Sequence, residues 1–516
     1  MNPQIIATWI VIILYAALIL YFVVKGAMRI KDMKDYAVGN MNFSPAFVGL
    51  SLAAAMTSAA TFVINPGFIA NYGISGLLSY GVFFPIASLV SLIVLTKSFR
   101  RYGSANKALS LASWLGSRYQ SSGYRLFIAI LSALLITFIV LILVAVTKVI
   151  ANALAINEVY TLAFFVVFVF GYMMFGGANS MVYTNTIQAM IMIVVAIILI
   201  GSGYKYLTDG FSGLADRLSA IDPLLLGATY PTSPLFRDMF EIMVAQMVVG
   251  AAVVCQPHII TKSLLLKNES DVNKYLITAV IIQSLFFSVV IAGLWARMEF
   301  PDLMLNGKPL GVDGVISAYV IKVFASGFVA IAIGLVVIIG LISAGLSTIE
   351  GLIQSLSTTI TNDILMRFKS VQALTDKKQI QMNRIIIGAM AIIAFILSRE
   401  QLLHPKLSVA IFAQNGVYSF FSIVFVPILL GIFTKNKNQT AAIGASIVAL
   451  VMYFTTYYLL PYLLTSHGIS FGFMDTYMKD KIQNPAISAT VAITFSLLAG
   501  LLLHFKEARQ LQKASN

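Results

Sequence analysis

Charge is scarce in this chain. Only 10% of its 516 residues are Asp, Glu, Lys or Arg, where a soluble domain carries about a quarter. That is too little to cover a water-facing surface of this size. Cysteine is scarcer still. Cys255 stands alone, which excludes a disulfide framework and a cysteine-based metal cluster. The four histidines, His258, His404, His467 and His504, are too scattered for a multi-haem subunit. No stretch is polar enough and long enough to form a separate catalytic domain, and clustered His, Asp or Glu of the kind a membrane enzyme needs is missing. What the chain has in abundance is apolar surface: 59% hydrophobic residues and a mean hydropathy of +0.91. The composition is that of an all-α polytopic membrane protein.

A spanning helix needs about 20 mostly apolar residues. Thirteen candidate spans meet that criterion: 4–24, 44–70, 75–97, 126–150, 159–176, 181–205, 238–256, 275–297, 328–362, 385–400, 407–433, 439–463 and 485–504. The first is followed by Lys25, Arg29, Lys31 and Lys34 with no small-residue cleavage site before them, so it reads as uncleaved. The net charge of +14 points to basic cytoplasmic loops rather than to nucleic acid. With 25–43 inside, the cytoplasmic segments 25–43, 97–125, 257–274, 362–384, 434–438 and 506–516 carry 23 of the 34 Lys and Arg. That bias predicts an outside N-terminus and a cytoplasmic C-terminus.

Two spans are chemically interrupted. The second reads Ser51-Leu-Ala-Ala-Ala-Met-Thr-Ser-Ala-Ala-Thr61, with the breaker Asn65-Pro66-Gly67 after it. The ninth reads Ser343-Ala-Gly-Leu-Ser-Thr-Ile-Glu-Gly351, then Gln354, Ser355, Ser357, Thr358 and Thr359. Small residues let membrane helices pack closely, and buried hydroxyls often bond their own backbone. Two such segments in one chain also suit a transporter, whose ligands bind near the midplane at discontinuous helices. Ala54 and Thr57 are three apart, so their carbonyls point the same way where the helix loosens. Ala344, Ser347 and Thr348 fall at i, i+3 and i+4, on one helix face. Five neutral oxygens suit a weakly held monovalent cation, sodium, better than a divalent one, which wants carboxylates.

Four local patterns, in order along the chain, then stand out: Ala54-x-x-Thr57 with Pro66-Gly67; Gly176-Gly177 with Tyr183-Thr-Asn-Thr-Ile-Gln188; Gln256-Pro257-His258-Ile259; and Ala344-x-x-Ser347-Thr348. On these the chain resembles the sodium/solute symporter family, which holds bacterial proline, sialate and pantothenate carriers and the sodium/glucose transporters. The resemblance implies a LeuT-type core of two inverted five-helix repeats, 44–205 and 206–433. Segment 1–43 adds a helix and cytoplasmic loop before them, and 434–516 two helices and a short tail after them. It also implies a sodium site at the positions of Ala54, Thr57, Ala344, Ser347 and Thr348. Where many members have Asp, this chain has Asn185, a neutral amide that removes a charge able to attract another cation. One sodium per solute is the expectation, with a plain interhelical hydrogen bond as the bland alternative for Asn185. Met56 stands where proline carriers have Asp, which speaks against proline itself.

The implied solute pocket lies between spans 2, 4, 7 and 11. Its candidate residues are Ser58, Thr61, Gln246, Gln256, Gln414 and Asn415, any of them equally suited to packing. No Lys or Arg stands mid-span to meet a carboxylate, so an anionic solute would lean on helix N-termini and the sodium ion. Glu350 lies either on the sodium exit path or in a pair with a cytoplasmic Lys or Arg. Glu241 reads as a rim residue near Arg237, and His258 as an inner-end residue beside Lys262. The functional expectation is sodium-coupled import of a small solute, leaning toward one bearing a carboxylate. It needs no cofactor and no obligate protein partner, in a bacterial plasma membrane. A proton-coupled carrier with Glu350 as the titrating group is the main alternative. A sensor is a further one, disfavoured because the chain ends about a dozen residues after the last span.

Overall fold

Lipid offers nothing to an open backbone N–H or C=O, so a chain this apolar satisfies its peptide groups inside helices. The computed structural model describes residues 3–515 except 41, 306, 405–407, 435–436 and 481. Ten of the described helices are long and apolar enough to cross a membrane, and the bent pair Phe240–Val253 and Pro257–Leu265, at 56°, makes an eleventh. The remaining expected spans are also helical. Glu158–Met173 is a shorter apolar helix, and Pro45–Met56 is the first half of the second span. Ala60–Ala105 holds the second half of that span and the whole of the third. They divide at Gly73, whose φ of 60° and ψ of −133° no ordinary side chain adopts easily. A Cβ there would also lie 2.1 Å from the carbonyl oxygen of Leu225.

The centre of the fold is the helix Phe328–Thr359, in which every residue from Val337 to Gln354 is buried. A helix covered on all sides is a core element, and the buried stretch of this one carries Ser343, Ser347, Thr348, Glu350 and Gln354. The first span leans on it through Tyr15, whose hydroxyl is 2.8 Å from Ser343 Oγ.

Three sequence expectations need correction. Pro66 does not break the second span. It sits in the first turn of Asn65–Leu78, where its missing N–H is little missed, after a π turn at Ala60–Ile64. The interruption comes earlier, at Thr57 and Ser58. The seventh span does not end at Gln256: the chain breaks there and turns back into helix at Pro257, so Lys262 belongs to a buried half-helix and not to a loop. The tenth span begins at Asp376, nine residues before the apolar run, because Lys, Gln and Arg continue a helix readily outside the lipid.

Candidate functional site

Pro45–Met56 ends where Thr57 turns extended, at φ −102° and ψ 101°. The N–H of Ala60 donates to Ser58 Oγ at 3.1 Å as the helix restarts. A helix end leaves its last carbonyls without intrahelical partners, and here they meet the hydroxyls of the ninth span. Ser347 Oγ donates to the Ala54 carbonyl at 2.8 Å and lies 3.2 Å from that of Ala344. Thr348 Oγ1 is 3.1 Å from the Ala55 carbonyl and 3.4 Å from those of Thr57 and Ala344. The structure thus brings the oxygens of Ala54, Thr57, Ala344, Ser347 and Thr348 together in the interior, with Ala55 as a sixth that spacing did not indicate. The set is neutral and all oxygen, which suits a monovalent cation. Among the described residues, no group of three or more His, Cys, Asp or Glu side chains is placed to hold a metal ion.

Met56 and Ser58, which flank Thr57, line a cavity of about 90 Å³. Thr61, Gln256 and Gln414 line it too. Gln414 donates to Tyr80 Oη at 3.3 Å, while Gln256 Oε1 is buried without a partner. The other two expected residues lie elsewhere. Gln246 precedes Gln256 by ten residues, roughly 15 Å of helix, and is not in the lining. Asn415 is turned about 100° from its neighbour Gln414 and donates to Tyr458 Oη at 2.6 Å. One residue belongs here that its sequence position concealed. His258 lines the cavity, is 2% exposed, and has no hydrogen-bond partner at either ring nitrogen. The signal was Pro257, which restarts the helix and so keeps the next residue at the break. Phe138, whose ring centre is 6.2 Å from that of His258, forms part of an aromatic wall with Tyr80, Phe84, Phe287 and Tyr418. No charged side chain is among the described lining residues.

Buried charge lies outside that cavity, on the half-helix after Pro257 and on the ninth span. Lys262, 2% exposed, donates to the carbonyl and the hydroxyl of Ser51, each at 2.8 Å. Its third acceptor is the amide oxygen of Asn185 at 2.7 Å, the amide orientation being the one its neighbours require. The Asn185 amide nitrogen donates in turn to Glu350 Oε2 at 3.0 Å and Gln188 Oε1 at 2.9 Å. Glu350 also accepts from Tyr172 Oη at 2.6 Å, Thr184 Oγ1 at 2.5 Å and Gln188 Nε2 at 3.2 Å. Glu350 is therefore joined to a lysine, as one expectation had it, but to a buried one and through an amide.

Both ends of the core are closed by specific contacts. Toward the N-terminal side, the loop before Val315–Val323 presses on the second span, so that a Cβ on Gly67 would lie 2.1 Å from the Val312 carbonyl oxygen. Asp313 in that loop pairs with Lys148 at 3.4 Å. Glu241 is no rim residue: it is fully buried, held by Arg237 at 2.6 Å and Asn484 at 3.1 Å. At the opposite end Arg125 pairs with the buried Asp363 at 2.6 Å, and Ser110 donates to the same carboxylate.

Comparison with known proteins gives the family and the fold. The chain is 26% identical over 434 residues to a sodium/pantothenate symporter of Escherichia coli, covering 82% of this chain and 84% of that one. It is 23% identical over 446 residues to the high-affinity proline transporter of Bacillus subtilis, with coverages of 84% and 87%. Among solved structures it superposes on a sodium-coupled sialic acid symporter in its outward-open state with a TM-score of 0.73, at 17% identity and 96% coverage of both chains. This last match shows a shared fold, that of the LeuT-type sodium symporters. The family model for sodium:solute symporters matches residues 36–449, and the chain belongs to the sodium:solute symporter family.

Proposed function

We propose that this protein couples inward movement of one sodium ion to uptake of a small, carboxylate-bearing solute by alternating access. The observation that carries the reading is the convergence of the Ala54, Thr57, Ala344, Ser347 and Thr348 oxygens beside a cavity lined by Ser58, Thr61, Gln256, Gln414 and His258. Sodium at the five oxygens fixes the broken end of the second span against the ninth, and that span supplies one wall of the solute cavity. Two ligands that favour one arrangement raise each other's affinity by the same factor. An empty or half-loaded carrier then switches poorly.

The lean toward a carboxylate comes from the chemistry of what the relatives are named for, since pantothenate, proline and sialic acid all bear one. With no side-chain cation in the cavity, the sodium ion supplies the counter-charge. Glu350, saturated by donors and joined to Lys262, is a poor carrier for a transported proton, which supports sodium as the coupling ion. We assign residues 44–205 and 206–433 to two inverted five-helix repeats. Gln246 and Asn415 act in packing on this reading. The N-terminus is outside and the C-terminus cytoplasmic in a bacterial plasma membrane, with no partner beyond ion, solute and lipid required.

The test is uptake into proteoliposomes of labelled amino acids, monocarboxylates, pantothenate, sialate and sugars, under a sodium gradient and under a proton gradient alone. Sodium-driven accumulation of a carboxylate-bearing solute is the expected result. Accumulation driven by protons without sodium would overturn the coupling, and sodium-driven uptake of a sugar alone would overturn the solute class.

A further inference from the structure

The Lys262–Asn185–Glu350 chain puts a lysine and a carboxylate in the interior, where charge is costly, and the coupling cycle described above does not use it. Its hydrogen bonds fit a charged pair. Lys262 Nζ faces three oxygens: the Ser51 carbonyl and Asn185 Oδ1, which can only accept, and the Ser51 hydroxyl, which can accept a third proton. An ammonium, with three N–H donors, matches this set of three oxygens one to one. Glu350 faces only donors, from Tyr172, Thr184, Gln188 and Asn185, as an ionised carboxylate requires. One positive and one negative charge are thus held in the interior by an exact set of partners, with a single amide between them.

The position of this pair is informative. Ser51 lies three residues before Ala54, on the same face of the same helix, and Glu350 lies two residues after Thr348. The partners of the lysine chain, Ser51 and Glu350, therefore lie next to the five-oxygen cluster along the second and ninth spans. Around the ammonium the environment repeats what a monovalent cation asks for: a main-chain carbonyl, a hydroxyl, an amide oxygen and a nearby carboxylate. We propose that the Lys262 ammonium is a tethered cation filling a second monovalent-cation site, built by Ser51 and Asn185 opposite Glu350, so that free sodium is needed only at the first. This rests on the sodium-coupled reading above and explains how one ion per cycle suffices. The second position is occupied in every cycle, whatever the sodium concentration, by a charge carried on the half-helix after Pro257.

Removing the lysine should expose the vacant site. The experiment is equilibrium binding of radioactive sodium to the purified full chain, with choline chloride holding ionic strength constant. Wild type should bind one sodium per chain without cooperativity. Lys262→Met should bind two, and Lys262→Met with Glu350→Gln should return to one. Two ions in wild type, or one in Lys262→Met at saturating sodium, would overturn the proposal. If wild type binds none while Lys262→Met binds one that depends on Glu350, the five-oxygen reading fails and this one stands. No binding in either sinks both. Should Lys262→Met prove too unstable for binding in choline, its melting temperature decides: a larger rise with sodium over choline than in Lys262→Met with Glu350→Gln supports the site, and equal rises overturn it.

Discussion

Ser347 Oγ donates to the Ala54 carbonyl across 2.8 Å, closing the ninth span onto the broken end of the second. The ninth span reaches this carbonyl through a side chain of only two heavy atoms, so the backbones must pass close together. The same hydroxyl oxygen has lone pairs left for a cation. Ser347→Ala and Thr348→Ala should each raise the sodium concentration for half-maximal uptake about tenfold, since losing one ligand costs about 1.4 kcal/mol. Unchanged sodium dependence in both variants would remove the ion from this place.

His258 should act on the solute and not on the ion. Its two free ring nitrogens line the cavity with Gln256, whereas its backbone belongs to the half-helix after the break. His258→Phe keeps the aromatic volume and removes both polar atoms. We expect the KM for the transported solute to rise by about tenfold, the loss of one good hydrogen bond to a charged group, with half-maximal sodium unchanged. A shift in sodium alone would place His258 in the ion path instead.

Closure over the second span depends on the absence of a side chain at Gly67. Gly67→Val drives a methyl into the Val312 carbonyl, and neither backbone has a soft way out. With Cys255 replaced by Ser and Ser58 by Cys, a membrane-impermeant thiol reagent added from outside should label the cavity several-fold faster in the Gly67→Val background. Equal rates would show that the 300–314 loop does not gate this face.

The opposite end is held by Arg125 on the fully buried Asp363 side chain. Arg125→Met strands that carboxylate, which should cost about 3 kcal/mol of stability, read as a lowered melting temperature in detergent. Adding Asp363→Asn should recover most of the loss. A double variant no better than the single one would mean that the arginine stem, and not its charge, provides the stability.

The oxygen cluster was legible in the sequence because its spacing lies within single helices: i, i+3 and i+4 in the ninth span needs no knowledge of tertiary structure. The solute cavity was only partly legible. Gln414 and Asn415 are adjacent, and nothing local says which of two neighbours, about 100° apart, faces inward. Pro66 misled as a breaker because the π turn before it absorbs the missing N–H. Lys262 was hidden for the opposite reason. A proline after a glutamine reads as the end of a span and a lysine beyond it as a loop charge, when Pro257 in fact begins a second half-helix. Only the apolar run around it, Ile259-Ile260 before and Leu264-Leu265-Leu266 after, hinted at burial.

The break at Thr57 and Ser58 divides the labour between two kinds of atom. On the proposed reading, the ion's place is made largely of peptide carbonyls and two small hydroxyls, while the solute's place is made of side chains. Substitution can recut the second without touching the first, because a carbonyl is carried by every amino acid. A lineage built on this plan is free to change its cargo by drift at a handful of lining positions while its energy source stays fixed.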